Sequence, residues 1–259
     1  MNKALFGGCS WSWGQGLELA SPTSYGVDWE GRGQQWKTLS TEQLDFIQTH
    51  RWTKTISDKL GLEEINLSTP GNSNGKSLQS VSEYIQKWGV NDVESIFFQL
   101  THPFRYFALE TEGRTPTTGM EFAKCIEDGL NRNRFDLNWM KSMEESLNEN
   151  FRLLSERHVI FLGELTKWFD KLRIQNPNLK IHLIEWIAEA DTPILDNPYY
   201  VNLFDGKPVM EWSMENRLTG TDWMKDKGFP LLFPEGHLSI DGMEIFSDIL
   251  YDKIKDLYL

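Results

Sequence analysis

A serine and a histidine far apart in the chain are the residue types that could do chemistry here. Ser10 follows the apolar run Ala4-Leu5-Phe6-Gly7-Gly8-Cys9 and precedes a segment rich in Gly and Trp. His237 stands in Glu235-Gly236-His237-Leu238-Ser239, just before an apolar-periodic C-terminal stretch. A hydroxyl is a weak nucleophile until a neighbouring base takes its proton, and imidazole has the ordinary pKa suited to that task. A buried strand that ends in small residues and a hydroxyl puts that side chain at the carboxyl edge of an open α/β sheet, where ligands bind. The pair predicts nucleophilic acyl chemistry, with Ser10 as nucleophile and His237 as general base.

The elements that must bring the two together are readable from pattern. Lys3 to Cys9 is a buried strand; Glu64 to Ser68, Ser95 to Leu100 and Lys180 to Ile187 are three more. Tyr199 to Glu211 reads as a fifth strand, or as a hairpin around Asp205-Gly206. A helix over Arg51 to Leu60 has Trp52, Ile56 and Leu60 on one face and stops at Gly61. The next places Leu78, Val81, Ile85 and Trp88 at helical spacing. Leu137 to Leu172 is one long helix or two joined near Gly163. The last helix starts at Ser239 as N-cap and buries Phe246, Ile249, Leu250, Ile254 and Leu257. Gln15 to roughly His50 is a Gly-punctuated, Trp-bearing insertion of the length that often forms a binding surface. Strands alternating with helices predict an α/β fold, a parallel sheet of about five strands covered on both faces, as one domain over residues 1–259.

Composition narrows the function classes. The net charge of -12 and the lack of a basic run argue against nucleic acid as a partner. Cys9 and Cys125 cannot form a disulfide framework and are not spaced for zinc, and His50, His158 and His182 show no ligand spacing, so neither metal nor cofactor is expected. Met1-Asn2-Lys3 runs straight into the first strand, which predicts no signal peptide. No apolar stretch has the length of a membrane span, so no membrane partner is expected. The expected setting is a reducing cytoplasm or a particle assembled there. Among the 11 Trp, Trp11, Trp13, Trp29 and Trp36 crowd the segment after the first strand. They read either as core packing and loop anchoring or as a sugar-stacking surface. Gly7, Gly8, Gly14 and Gly16 fit neither the dinucleotide fingerprint nor a P-loop.

Taken in chain order, three blocks resemble the SGNH (GDSL-like) hydrolase family. The stretch from Phe6 through Cys9-Ser10-Trp11 to Leu17 is similar to its first block, with Cys9 in place of the aspartate of Gly-Asp-Ser. Asn66 to Asn74 looks like the second, with Gly71 at the oxyanion-glycine position, and His237 to Gly242 like the fifth. The third block departs: Gln99-Leu100-Thr101-His102 aligns with Gly-x-Asn-Asp, which leaves Thr101 as the second oxyanion donor. Thr101, Pro103 and Arg105 resemble a variant found in tailed-phage members. Pro234 stands where the family's aspartate is expected, and Glu235, two residues before His237, is the alternative acid.

The resemblance implies a three-layer α/β/α sandwich with a flavodoxin-like sheet. It also implies a serine esterase or acyl hydrolase acting on a small ester or an acylated carbohydrate, with Ser10, His237 and Glu235 catalytic. The oxyanion would be held by the N–H groups of Ser10 and Gly71, with help from Thr101. Asn74 points an amide into the site or caps the following helix; Arg105 pairs with an acidic substrate group or with a structural partner; His102 contacts substrate or water. The rival expectation is a non-catalytic descendant, a virion or assembly protein contacting other virion proteins, or a glycan-binding module that has lost turnover.

Overall fold

The computed structural model of the chain describes residues 2–14, 16–17, 39–70, 72–101, 158–186, 193–218 and 237–259. β1 (Lys3–Gly7) leads into α1, a single turn over Ser10–Trp13. α2 (Thr41–His50) and α3 (Trp52–Leu60) precede β2 (Glu63–Asn66). α4 (Asn74–Trp88) joins it to β3 (Val93–Leu100). α5 covers 158–175, followed by β4 (Lys180–Glu185), α6 (Val209–Glu215) and α7 (Ile240–Ile254). The four strands form one sheet in the order β2-β1-β3-β4, every neighbouring pair parallel. That order is the flavodoxin-like one, and helices cover both faces, so the fold is an α/β sandwich.

Alternation along the strands builds two cores. Ala4, Phe6, Phe97 and Ile184 point to one face and pack with Ile47 of α2, Trp52 and Ile56 of α3, and Met243, Phe246 and Leu250 of α7. Leu5, Ile96, Phe98 and Leu183 point to the other and meet Val81 of α4 and Leu165 and Phe169 of α5. Phe6 anchors the first layer, stacked on Phe97 at 4.8 Å between ring centres and edge-on to Trp52 at 5.5 Å. Such rings contribute about 1.5–3 kcal/mol each by burial, and aromatic pairs about 0.5–1.5 kcal/mol more. These contacts fix Phe6 in the core four residues before α1 begins.

Several expectations need correction. Among the described residues there are four strands, not five: Tyr200 makes only an isolated bridge to Leu183. Asp205 and Gly206, with φ of 52° and 87°, turn the chain, and α6 begins right after Pro208, so Val209 to Glu211 is helical. The end of the expected insertion is α2, closed by a reciprocal capping box between Ser40 and Gln43. α5 runs through Gly163 without a joint, while 137–157 lies outside the described residues. Trp88, the last residue of α4, is 64% exposed beneath the Lys87 ammonium rather than buried. Leu257 falls in a 3₁₀ turn after α7, off the helical stripe, and is exposed; Ile249 is half-buried. Cys9 is a buried free thiol; Cys125 lies outside the described residues. No helix among the described residues is long and apolar enough to cross a membrane.

Candidate active site

Ser10 is the first residue of α1, at the carboxyl end of the central strand β1. Its N–H has no acceptor within the helix, because the first intrahelical bonds run from Trp13 N–H to the Cys9 carbonyl and from Gly14 N–H to the Ser10 carbonyl. Gly14 ends the turn at φ 94°, where a side chain would also meet Ile47, Arg51 and Leu17 within 3.2 Å. α1 is therefore a compulsory tight turn at the sheet edge.

His237 arrives from the far end of the chain. The next two residues fasten it: Leu238 is buried, and Ser239 donates both its N–H and its hydroxyl to the Leu218 carbonyl, at 2.8 and 3.1 Å. Ser239 also caps α7 by accepting from Gly242 N–H. Thus anchored, His237 Nε2 lies 3.0 Å from Ser10 Oγ, across 227 residues of sequence. With its proton on Nδ1, the imidazole accepts the serine hydroxyl proton at Nε2. Ser10 and His237 are 3% and 7% exposed. The Trp11 ring lies 5.5 Å from the imidazole and stacks on Trp186 at 5.4 Å. Trp11 is thus a wall of the site turned into the core, not a sugar platform; Trp29 and Trp36 lie outside the described residues.

Two polar networks hold the turn. On one side Gln99, at the end of β3, accepts from Cys9 N–H at 3.2 Å and from the Ser12 hydroxyl at 2.9 Å. On the other, Asn66 donates to the Ser12 carbonyl at 2.8 Å and to Thr53 Oγ1 at 3.0 Å. Thr53 in turn donates to Glu64, which Arg51 grips with two bonds of 3.0 and 2.9 Å. None of Gln99, Asn66, Thr53 or Ser12 stood out in the sequence as a site residue. For Gln99 the available signal was a polar residue at an inward position of an otherwise apolar strand; Asn66, Thr53 and Ser12 carry no such mark.

Of the other sequence candidates, Thr101 is buried just past β3, at the same edge as Ser10. Asn74 does not cap α4. Its amide clasps the Thr101 backbone, accepting from the N–H at 2.7 Å and donating to the carbonyl at 3.1 Å, while the cap is Ser73. A primary amide matches a peptide group's donor and acceptor, whereas the Ser73 hydroxyl reaches the orphan N–H of Lys76. Gly71, His102, Arg105 and Glu235 lie outside the described residues. Among the described residues no group of three His, Cys, Asp or Glu is placed to hold a metal ion.

No known family profile and no curated protein sequence matches the chain. Among solved structures it is similar to a carbohydrate esterase whose active site is described as displaying divergent catalytic and non-catalytic binding functions. The identity is 14% and the TM-score 0.44, over 100% of this chain and 70% of that one. At that level neither activity nor site residues carry across.

Proposed function

We propose that this chain is a serine acyl hydrolase of SGNH type, acting on a small carboxylic ester. The observation that carries the reading is the 3.0 Å contact between Ser10 Oγ and His237 Nε2 at the carboxyl edge of a parallel sheet. In this reading Oγ attacks the ester carbonyl as Nε2 takes its proton. The tetrahedral oxyanion is held by the N–H of Ser10 and, from the block resemblance, by Gly71 and Thr101. Collapse breaks the carbonyl–alkoxide bond, the imidazolium protonates the leaving oxygen, and an acyl-Ser10 ester remains. Water, deprotonated by the same imidazole, then releases the acid. Glu235 is the proposed partner for Nδ1. An acylated carbohydrate is the finer substrate proposal; it rests on the Trp content of residues 15–50 alone.

A second reading is favoured by one observation, the near-complete burial of both side chains. A non-catalytic descendant of the fold, serving as a virion component or glycan-binding module, would keep the hydrogen bond as a structural tie. A fluorophosphonate probe separates the two. Stoichiometric labelling at Ser10, mapped by peptide mass, supports the hydrolase; a folded chain left unlabelled at millimolar probe removes it.

A further inference from the structure

The peptide that delivers Ser10 is gripped from both faces of the sheet. On one face the Gly8 carbonyl accepts from Ser77 Oγ at 3.0 Å and from Asn72 Nδ2 at 3.3 Å. On the other lies the Gln99 amide, wholly buried. Its oxygen takes the Cys9 N–H and the Ser12 hydroxyl, and its NH2 donates to the Leu100 carbonyl at 3.0 Å. A Cβ on Gly8 would sit 2.7 Å from both Gln99 Oε1 and Ser12 Oγ, so Gln99 fills the space a side chain there would need. The two groups it accepts from flank Ser10 in sequence, one residue before and two after.

We infer that Gln99 is a positioning residue, whose amide sets the orientation of the α1 turn and hence of Ser10 Oγ against His237 Nε2. The inference rests on the hydrolase reading only for its effect on rate; the geometry it asserts stands apart from turnover. A neutral amide suits the place for a definite reason. It must accept twice and donate back to a carbonyl while fully buried. A carboxylate there would face the Leu100 carbonyl with no donor and carry a charge into full burial. An apolar side chain would orphan the Cys9 N–H and the Ser12 hydroxyl. A protonated carboxylic acid, by contrast, keeps one acceptor and one donor.

The test uses the full chain with Gln99→Leu and Gln99→Glu, beside Ser10→Ala as reference. The first readout is the imidazole ¹⁵N spectrum of His237, which reports its hydrogen bond whether or not the chain turns over ester. In Gln99→Leu the His237 signals should move to those of Ser10→Ala. Signals that coincide with the parent, in a folded variant distinct from Ser10→Ala, overturn the inference. Should Gln99→Leu not fold, Gln99→Glu answers alone. Its His237 spectrum should match the parent while the introduced carboxyl is neutral, and match Ser10→Ala once that carboxyl ionises. A spectrum that stays parent-like after ionisation overturns the inference as well. The second readout is fluorophosphonate labelling. Displacing Oγ by about an ångström should slow it about 10²-fold in Gln99→Leu. In Gln99→Glu the alkaline side of the rate profile should collapse at lower pH than in the parent. A parent that fails to label removes the hydrolase reading, while the His237 spectra still decide the role of Gln99.

Discussion

Among the described residues, two buried histidines meet a hydroxyl through Nε2, and their surroundings could hardly differ more. His237 reaches Ser10 at 3.0 Å where β1 gives out at the sheet's carboxyl edge. His182, inside β4, reaches Tyr258 Oη at 2.8 Å, and that hydroxyl also meets Ser95 Oγ at 2.6 Å. Here the imidazole lies within a strand rather than past its end, stacked on Phe97 at 4.6 Å. Burial holds His182 far down, at about 3, helped by the nearby Lys180 charge, and pushes the Tyr258 hydroxyl up. An imidazole that refuses a proton cannot act as a base near neutrality. The comparison teaches that an imidazole–hydroxyl hydrogen bond has two uses. Mid-strand it ties the C-terminal turn to the sheet; past a strand's end, on a tight turn whose first N–H has no acceptor within its helix, it is the contact on which the proposed hydrolysis rests.

The largest expected effect breaks that symmetry outright. Ser10→Ala or His237→Ala should lower esterase turnover by about 10⁴-fold or more and abolish fluorophosphonate labelling. Ser95→Ala, which strips a hydroxyl from the other cluster, should leave labelling within a few-fold of the parent. If Ser95→Ala and Ser10→Ala lose labelling alike, the distinction between the two pairs is gone.

The contrast also marks what a sequence can show. β1, β3 and β4 declare themselves by their apolar residues, and α3 by Gly61, which ends it in the left-handed conformation at φ 67°. Ser10 and His237 were legible because each stands beside a recognisable element boundary, the end of a strand and the start of a capped helix. His182 and Gln99 were not, since a lone polar residue in an apolar strand carries no sign of which partner crosses the sheet to meet it. Tyr258, His182's partner, is 76 residues away, and Cys9 lies 90 from Gln99. α2 was missed for another reason. It buries only Gln43 and Ile47, so it has no stripe, and its signature was the local Ser40-Thr41-Glu42-Gln43 cap. Asn74 reads two ways in sequence, and only the cap is ruled out, because nothing in sequence distinguishes a cap from an amide that clasps a neighbouring peptide.

The next effect in size is on acid stability. His182 titrates at about 3 in the folded chain and near its ordinary 6.5 when unfolded. As pH falls below 6.5 the unfolded chain takes up a proton that the folded chain refuses, so stability is lost between about 6.5 and 3. The slope from this group is up to about 1.4 kcal/mol per pH unit, roughly 3 kcal/mol by pH 4. His182→Gln should flatten the fall in denaturant midpoint between pH 6 and pH 4. Parallel curves for variant and parent would mean that His182 is not sealed as described.

Glu185, three residues further along β4, should act in the opposite sense. It is 5% exposed, and burial raises its carboxyl from an ordinary 4.5 to about 7. Between those values the unfolded chain gives up a proton that the folded chain keeps, so stability drains away as pH rises through the window. Glu185→Gln should therefore stabilise the chain at pH 7, by an amount of order 2 kcal/mol, and do little at pH 4. Equal gains at both values would trace the effect to packing instead of charge.

Tyr258→Phe is the mildest change and the sharpest separator of the two pairs. It keeps the ring, which the Lys180 ammonium covers at 4.5 Å, and deletes only the hydroxyl shared by Ser95 and His182. Two buried polar groups then lose a partner, which typically costs about 1–3 kcal/mol. The denaturant midpoint should fall accordingly. The hydroxyl's two partners sit on β3 and β4, away from α1 and the 237–239 segment, so the His237 spectrum and the labelling rate of Ser10 should stay as in the parent. A labelling rate that dropped with stability, measured well below the unfolding transition, would show the two hydroxyl-bound imidazoles to be coupled through the sheet.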